Sequence, residues 1–236
     1  SLDLAADLVT LASLGRMPDQ PYTSFVMTNG LSGARLGVLR EMFRKGPKHE
    51  EGLALMDQVL KDMKAAGAIL VDPVLTGMNL IESQADAGSA TFERAFAINH
   101  YLSRLGPNAP IRTVEEMIAK GGPLVKPTIV EAASIEAASI ESLDHHKPLF
   151  AAIRQKEVLR GALVELMEKY QLDAIILPFR TFLTEEIPVG TNRPPDIRNN
   201  LSSYTGLPTI IVPGGFFPAD GMPFAVQFLG RPFSEP

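Results

Sequence analysis

Apolar residues recur along this chain at two periods, and the switches between them outline its elements. Leu4, Leu8, Leu11 and Leu14 are spaced as on one face of a helix. Within "LSGARLGVLREMF" (31–43) the apolar run from Leu36 to Leu39 lies between turn residues, the pattern of a buried strand. Leu53, Met56, Leu60 and Met63 return to the helical period over residues 50–67, with Gly67 placed as a stop. "AILVDPV" (68–74) is a second strand, ended by Pro73. Strand, helix and strand in close succession form a βαβ unit and favour parallel pairing.

Residues 92–106 repeat the helical pattern and end in glycine. Thr113 and Glu116 stand at capping-box spacing, so a short helix is expected to start there. "EAASIEAASI" (131–140) is a tandem pentapeptide, too short for a solenoid and read as a duplicated helical surface. A long helix is expected over 147–171 on a stripe of Leu149, Ile153, Leu159, Leu163 and Leu166, with Gly161 its weak point. "LDAIILP" (172–178) has the composition of a fully buried strand. Residues 179–198 are rich in proline and lack a period, which suggests a long irregular loop of the kind that is usually functional or mobile. Strands at 209–213 and 223–230 close the pattern, joined across an Asp220-Gly221 turn. The expected fold is α/β, a mixed, partly parallel sheet covered by helices, with no internal boundary marked in the pattern.

Composition narrows the field. The 236 residues are 45% hydrophobic and 21% charged, a globular balance with enough chain for a real core. A net charge of −5 offers no basic stripe, which argues against nucleic acid as a partner. The absence of cysteine excludes disulfides and thiolate metal sites and fits a reducing compartment, so a cytoplasmic location is expected. No apolar run approaches the roughly 18 residues of a membrane span. The first residues lack an initiator Met and a positive n-region, and the pattern begins inside a helix. A segment of a longer protein is expected.

Chemistry is sparse. No glycine-rich turn joins a strand to a helix, so nothing cradles a phosphate and no cofactor is expected. His49, His100, His145 and His146 are read as surface imidazoles rather than metal ligands, with Asp144 a helix cap beside the last two. No Gly-x-Ser-x-Gly elbow occurs. Ser202 and Ser203 lack a neighbouring base, the nearest being Lys169 and His146, so they are read as hydrogen-bonding serines beside a strand.

The stretch "NNLSSYTGLPTIIVPGGFFPADGMPFAVQFLGRPFSEP" (199–236) closely resembles the C-terminal part of amidase signature family enzymes. "GLSGARLGVLREMF", "LGPNAPIRTVEEMIA" and "LDAIILP" resemble further family stretches in the same order, so the likeness spans nearly the whole chain. The resemblance implies amide hydrolysis through an acyl-enzyme, with a serine nucleophile, a second serine in a cis peptide bond and a lysine base. In the family those groups lie in an N-terminal half that this sequence does not contain. It therefore carries no catalytic residue, and the family's closing helix is absent too. What the resemblance assigns here is a wall of the substrate pocket, at Phe179, Asn200, Ser202 and Thr205, with 179–198 as a lid. Asp196 stands where relatives acting on glutamine-like substrates place an acid that holds the substrate's amino group.

The implied partners are a small-molecule amide and the missing N-terminal half. An unpaired sheet edge would also favour a homo-oligomer. The alternatives are a non-catalytic binding or scaffolding module that reuses this half-fold, and a small-molecule-binding α/β domain of another lineage.

Overall fold

The computed structural model describes residues 22–127, 129–131, 133, 147–182 and 199–234. The expected N-terminal helix, His145, His146, Asp144, nearly all of the tandem pentapeptide and residues 183–198 with Asp196 lie outside them. The chain divides into two compact units, Ser1–Ile81 with Arg160–Pro236, and Glu82–Leu159. The pattern of apolar positions carried no sign of that division.

The first unit is built on a five-stranded mixed sheet in the order β2-β1-β3-β5-β4. Its strands are β1 (Arg35–Leu39), β2 (Ile69–Val74), β3 (Ala174–Pro178), β4 (Thr209–Phe216) and β5 (Pro223–Leu229). β1 pairs in parallel with β2, from Arg35↔Ile69 onward, and with β3, from Leu36↔Ala174 to Val38↔Ile176. β5 runs antiparallel between β3 and β4, with Ile176↔Phe228 and Ile210↔Phe228 in register. The expected mixed, partly parallel sheet is the observed one.

Helix α1 (Glu50–Ala65) joins β1 to β2 and buries Met56, Val59, Leu60 and Met63. These residues pack with Leu36, Val38, Ile176, Phe217, Phe224 and Val226 of the sheet into one core. The helix stops as its sequence dictates. Gly67 takes φ +94°, and the Ala68 N–H donates to Met63 O at 3.0 Å, satisfying a carbonyl of the last turn. Gly37 sits where β1 is most crowded: a Cβ there would lie 2.4 Å from Leu172 Cδ1.

β2 and β4 are the two edges of the sheet among the described residues. Each holds a proline in its interior, Pro73 and Pro213, whereas the prolines of the central strands, Pro178 and Pro223, stand at strand ends. β2 ends at Val74, the expected bound, and β4 runs past its expected end at Pro213 to Phe216. Helix α5 (Lys147–Lys169) ends with buried Leu163, Leu166 and Met167. Its expected stripe residue Ile153 is exposed instead. The turn after α5 is tied to β1, where the Arg35 N–H donates to Asp173 Oδ2 and Arg35 Nε to Tyr170 O, both at 2.7 Å.

The second unit is helical, and α2 (Leu80–Asp86) and α3 (Ala90–Ser103) lead into it. Helix α4 (Val114–Gly121) starts at the expected cap: the Glu116 N–H donates to Thr113 Oγ1 at 3.1 Å, while the Glu116 carboxylate accepts from the Arg112 N–H at 3.0 Å. Buried Ala95 and Val114 gather Ile98, Met117 and Ile118 into a small core of their own.

Candidate functional site

Parallel strands end on a common side, and ligands of open α/β sheets bind outside those carboxyl ends. Here β1 leads into Arg40–Arg44 and β3 into Phe179–Phe182. A recess lies between these two exits, lined by Met42, Arg44, Phe179, Arg180, Phe182 and Asn199, among others. Phe179, Arg180 and Phe182 also wall a neighbouring cleft of about 300 Å³, whose other side is Phe217, Met222, Pro223 and Ala225. The first of the expected pocket residues, Phe179, is thus part of the wall. Its N–H donates to Ala225 O at 3.0 Å, which extends the β3–β5 pairing into the site.

The wall is anchored from beneath. Thr181 is 3% exposed and its hydroxyl pairs with His49 Nδ1 at 2.7 Å. His49, expected at the surface, is 5% exposed, because the turn at Pro47–His49 tucks the ring inward as α1 begins. The ring meets Phe182 edge-on at 5.6 Å. Gly52 in the first turn of α1 allows this approach. A Cβ there would lie 2.2 Å from Thr181 O, a backbone atom that cannot swing aside. Burial, reinforced by repulsion from Lys48 and then Arg44, pulls the His49 pKa below its ordinary value and favours the neutral ring. A hydroxyl paired with an imidazole resembles an activated nucleophile. Thr181 borders the recess, but both groups are buried and spend their bond on each other, so the pair serves as a clamp beneath the wall.

Asn199, rather than Asn200, lines the recess. Its amide donates to Gln227 Oε1, and the buried Gln227 passes the connection on to Thr209 Oγ1 at 2.9 Å. Asn199 Oδ1 also accepts from the Leu201 N–H at 3.2 Å, a local Asx bond that opens the short helix α6 (Leu201–Thr205). Asn200 is the residue before that helix, and its carbonyl accepts from Ser203 Oγ at 3.0 Å. Ser202 Oγ donates to Leu207 O at 3.1 Å, and Thr205 Oγ1 donates to Leu201 O at 2.6 Å. The structure therefore brings Phe179 into the recess with Asn199. It places Asn200, Ser202 and Thr205 around α6, with both side-chain hydroxyls bonded to main chain.

The site residues missed from sequence are Arg44, Arg180 and Asn199. Arg180 follows Phe179 directly. Arg44 required the knowledge that β1 and β3 are neighbours.

Among the described residues no group of three or more His, Asp or Glu side chains converges as a metal site. No described helix is long and apolar enough to cross a membrane. The site can hold and orient a ligand by aromatic faces, guanidinium donors and an amide.

Residues 9–236 match the family model described as Amidase. A protein described as a probable amidase from Arabidopsis thaliana is 27% identical over 227 residues, covering 93% of this chain and 39% of that protein. A glutamyl-tRNA(Gln) amidotransferase subunit from Chloroflexus aurantiacus is 26% identical over 235 residues, covering 92% of this chain and 45% of that protein. Among solved structures, an amidase family protein from Bacillus anthracis superposes with a TM-score of 0.65 at 20% identity, covering 93% of this chain and 39% of that one. The chain spans less than half the length of each of these proteins. With the family model matched over nearly all of its residues, this chain belongs to the Amidase family.

Proposed function

We propose that this chain forms the pocket wall of a serine-dependent amidase that hydrolyses a small-molecule amide through an acyl-enzyme. A serine hydroxyl attacks the amide carbonyl while its proton passes through a second serine to a lysine amine. The C–N bond then breaks as that proton reaches the departing amine. Water cleaves the resulting ester, releasing the acid and restoring the serine. These groups come from outside this chain, which contributes Phe179 and Asn199 to hold the acyl part. Asn200, Ser202 and Thr205 support the turn behind them, and Asp196 stands as a candidate for the substrate's amino group.

The carrying observation is a recess at the parallel strand ends, lined among the described residues by binding groups and by no solvent-exposed nucleophile with a base beside it, in a chain of this family. An amide is a poor electrophile, so an activated nucleophile and donors for the oxyanion are both required. The test is to acid-quench the whole protein during turnover of an amide, digest it and locate the acyl group by mass spectrometry. It is expected on a serine outside residues 1–236. An acyl group on Ser202, Ser203 or Thr181 overturns the reading, and binding of the amide without turnover favours the non-catalytic module.

A further inference from the structure

Among the described residues, the charged groups that line the recess are all cations. Arg44 from the β1 exit and Arg180 from the β3 exit line it together. Lys48 Nζ lies 4.8 Å and Arg180 Cζ 5.2 Å from the centroid of the Phe182 ring, so a third cation stands at the same aromatic wall. No carboxylate lines the recess or the adjoining cleft among the described residues. Glu41, three residues before Arg44, accepts from the Thr76 and Gly77 N–H groups instead, at 2.9 and 2.8 Å. Glu51 accepts from the Ala219 N–H at 3.4 Å, while Glu185 and Glu186 lie outside the described residues. Each guanidinium also makes other contacts within the chain. A guanidinium has five donors in a planar fork, so it can keep such a contact and still take a carboxylate side-on.

We infer that the recess selects an amide whose acyl part ends in a carboxylate, held between Arg180 and Arg44 with its carbon chain along Phe179 and Phe182. This specificity rests on the amidase reading above and names its substrate class. Two cations in a partly desolvated recess favour an anion over a neutral isostere, because the neutral group returns nothing for the water lost by the guanidiniums.

The test compares two anilides with acyl chains of equal length, succinanilic acid and butyranilide, as substrates of the whole protein. The anionic anilide is expected to show at least a roughly tenfold higher kcat/KM, and raised salt should narrow the gap. Arg180→Gln should abolish the preference chiefly by raising KM for succinanilic acid, and Arg180→Lys should restore part of it. Arg44→Gln gives a second, independent variant. Equal turnover of both anilides, unaltered by either substitution, overturns the inference and leaves the amidase reading standing. If neither anilide is hydrolysed, calorimetry with succinanilic acid separates the two claims. Binding weakened by Arg180→Gln supports the carboxylate site while the amidase reading fails, and no binding overturns the site.

Discussion

Two segments of this sheet look alike on paper, "AIILP" in β3 and "TIIVP" in β4. Ile175, Ile176 and Leu177 of β3 are 0% exposed, whereas Ile210 and Ile211 of β4 are 67% and 45% exposed. The difference is position. β3 lies between β1 and β5, while β4, among the described residues, closes one end of the sheet with β5 as its neighbour. β-Branched apolar runs fit a pleated surface whether or not anything covers it. Burial is conferred by what packs alongside, so apolar composition by itself overstates how central a strand is. β3 carries one of the strand exits that make the recess. β4 is covered by α1 over part of its length, where Val212 and Gly214 meet the helix, and is open at Ile210 and Ile211.

The contrast can be broken most directly with a pair of truncations measured by urea unfolding of the whole protein. Ile176→Ala should cost about 2–5 kcal/mol, the range for emptying a filled core site. Ile210→Ala should cost about 0.5 kcal/mol or less, as at an exposed position. Equal losses would mean that β4 is covered in solution by another part of the protein or by a second copy.

A smaller effect is expected where the covered strands leave the sheet. Gly52→Ala drives a Cβ into Thr181 O and should destabilise by about 1–3 kcal/mol, with KM for the amide rising as the Phe179–Phe182 wall shifts. A neutral Gly52→Ala would show that this wall is not built on the first turn of α1. Gly161 is the control in the opposite direction. A Cβ there meets nothing within 4 Å, so Gly161→Ala in α5 should stabilise by about 0.5–1 kcal/mol in the same unfolding assay.

The smallest effect concerns pH. The folded His49 pKa lies below the ordinary value of 6.5, so its contribution is complete above pH 6.5. It declines as pH falls below that value toward the lowered folded pKa, because the unfolded chain takes up a proton that the folded ring refuses. His49→Gln should flatten this part of the stability–pH curve. Unchanged slopes between pH 5 and 7 would contradict the clamp as described.

Periodicity made much of this legible. The βαβ unit and the long helix before β3 stand near their expected bounds, since each is stated by a dozen or more residues of repeating pattern. The Thr113 cap and the last two strands were marked by a capping pair and a turn. Helix α6 was not legible. Its five residues complete no full repeat, although Asn200 before it and Gly206 after it, at φ +66°, are the residues that open and close helices. Of the site, Phe179 was accessible through its motif. Arg44 and Asn199 were not, because they belong to the recess only through sheet order, and sheet order is a long-range property.

The chain's own pattern thus determined which segments become helix or strand, where most of them stop, and which family motif they compose. Tertiary structure alone decided which apolar strand is covered, which histidine goes inside, and which cations meet across the strand ends. Local preferences act over a few residues, while burial and electrostatic convergence depend on neighbours separated by more than a hundred positions, as Arg44 and Arg180 are.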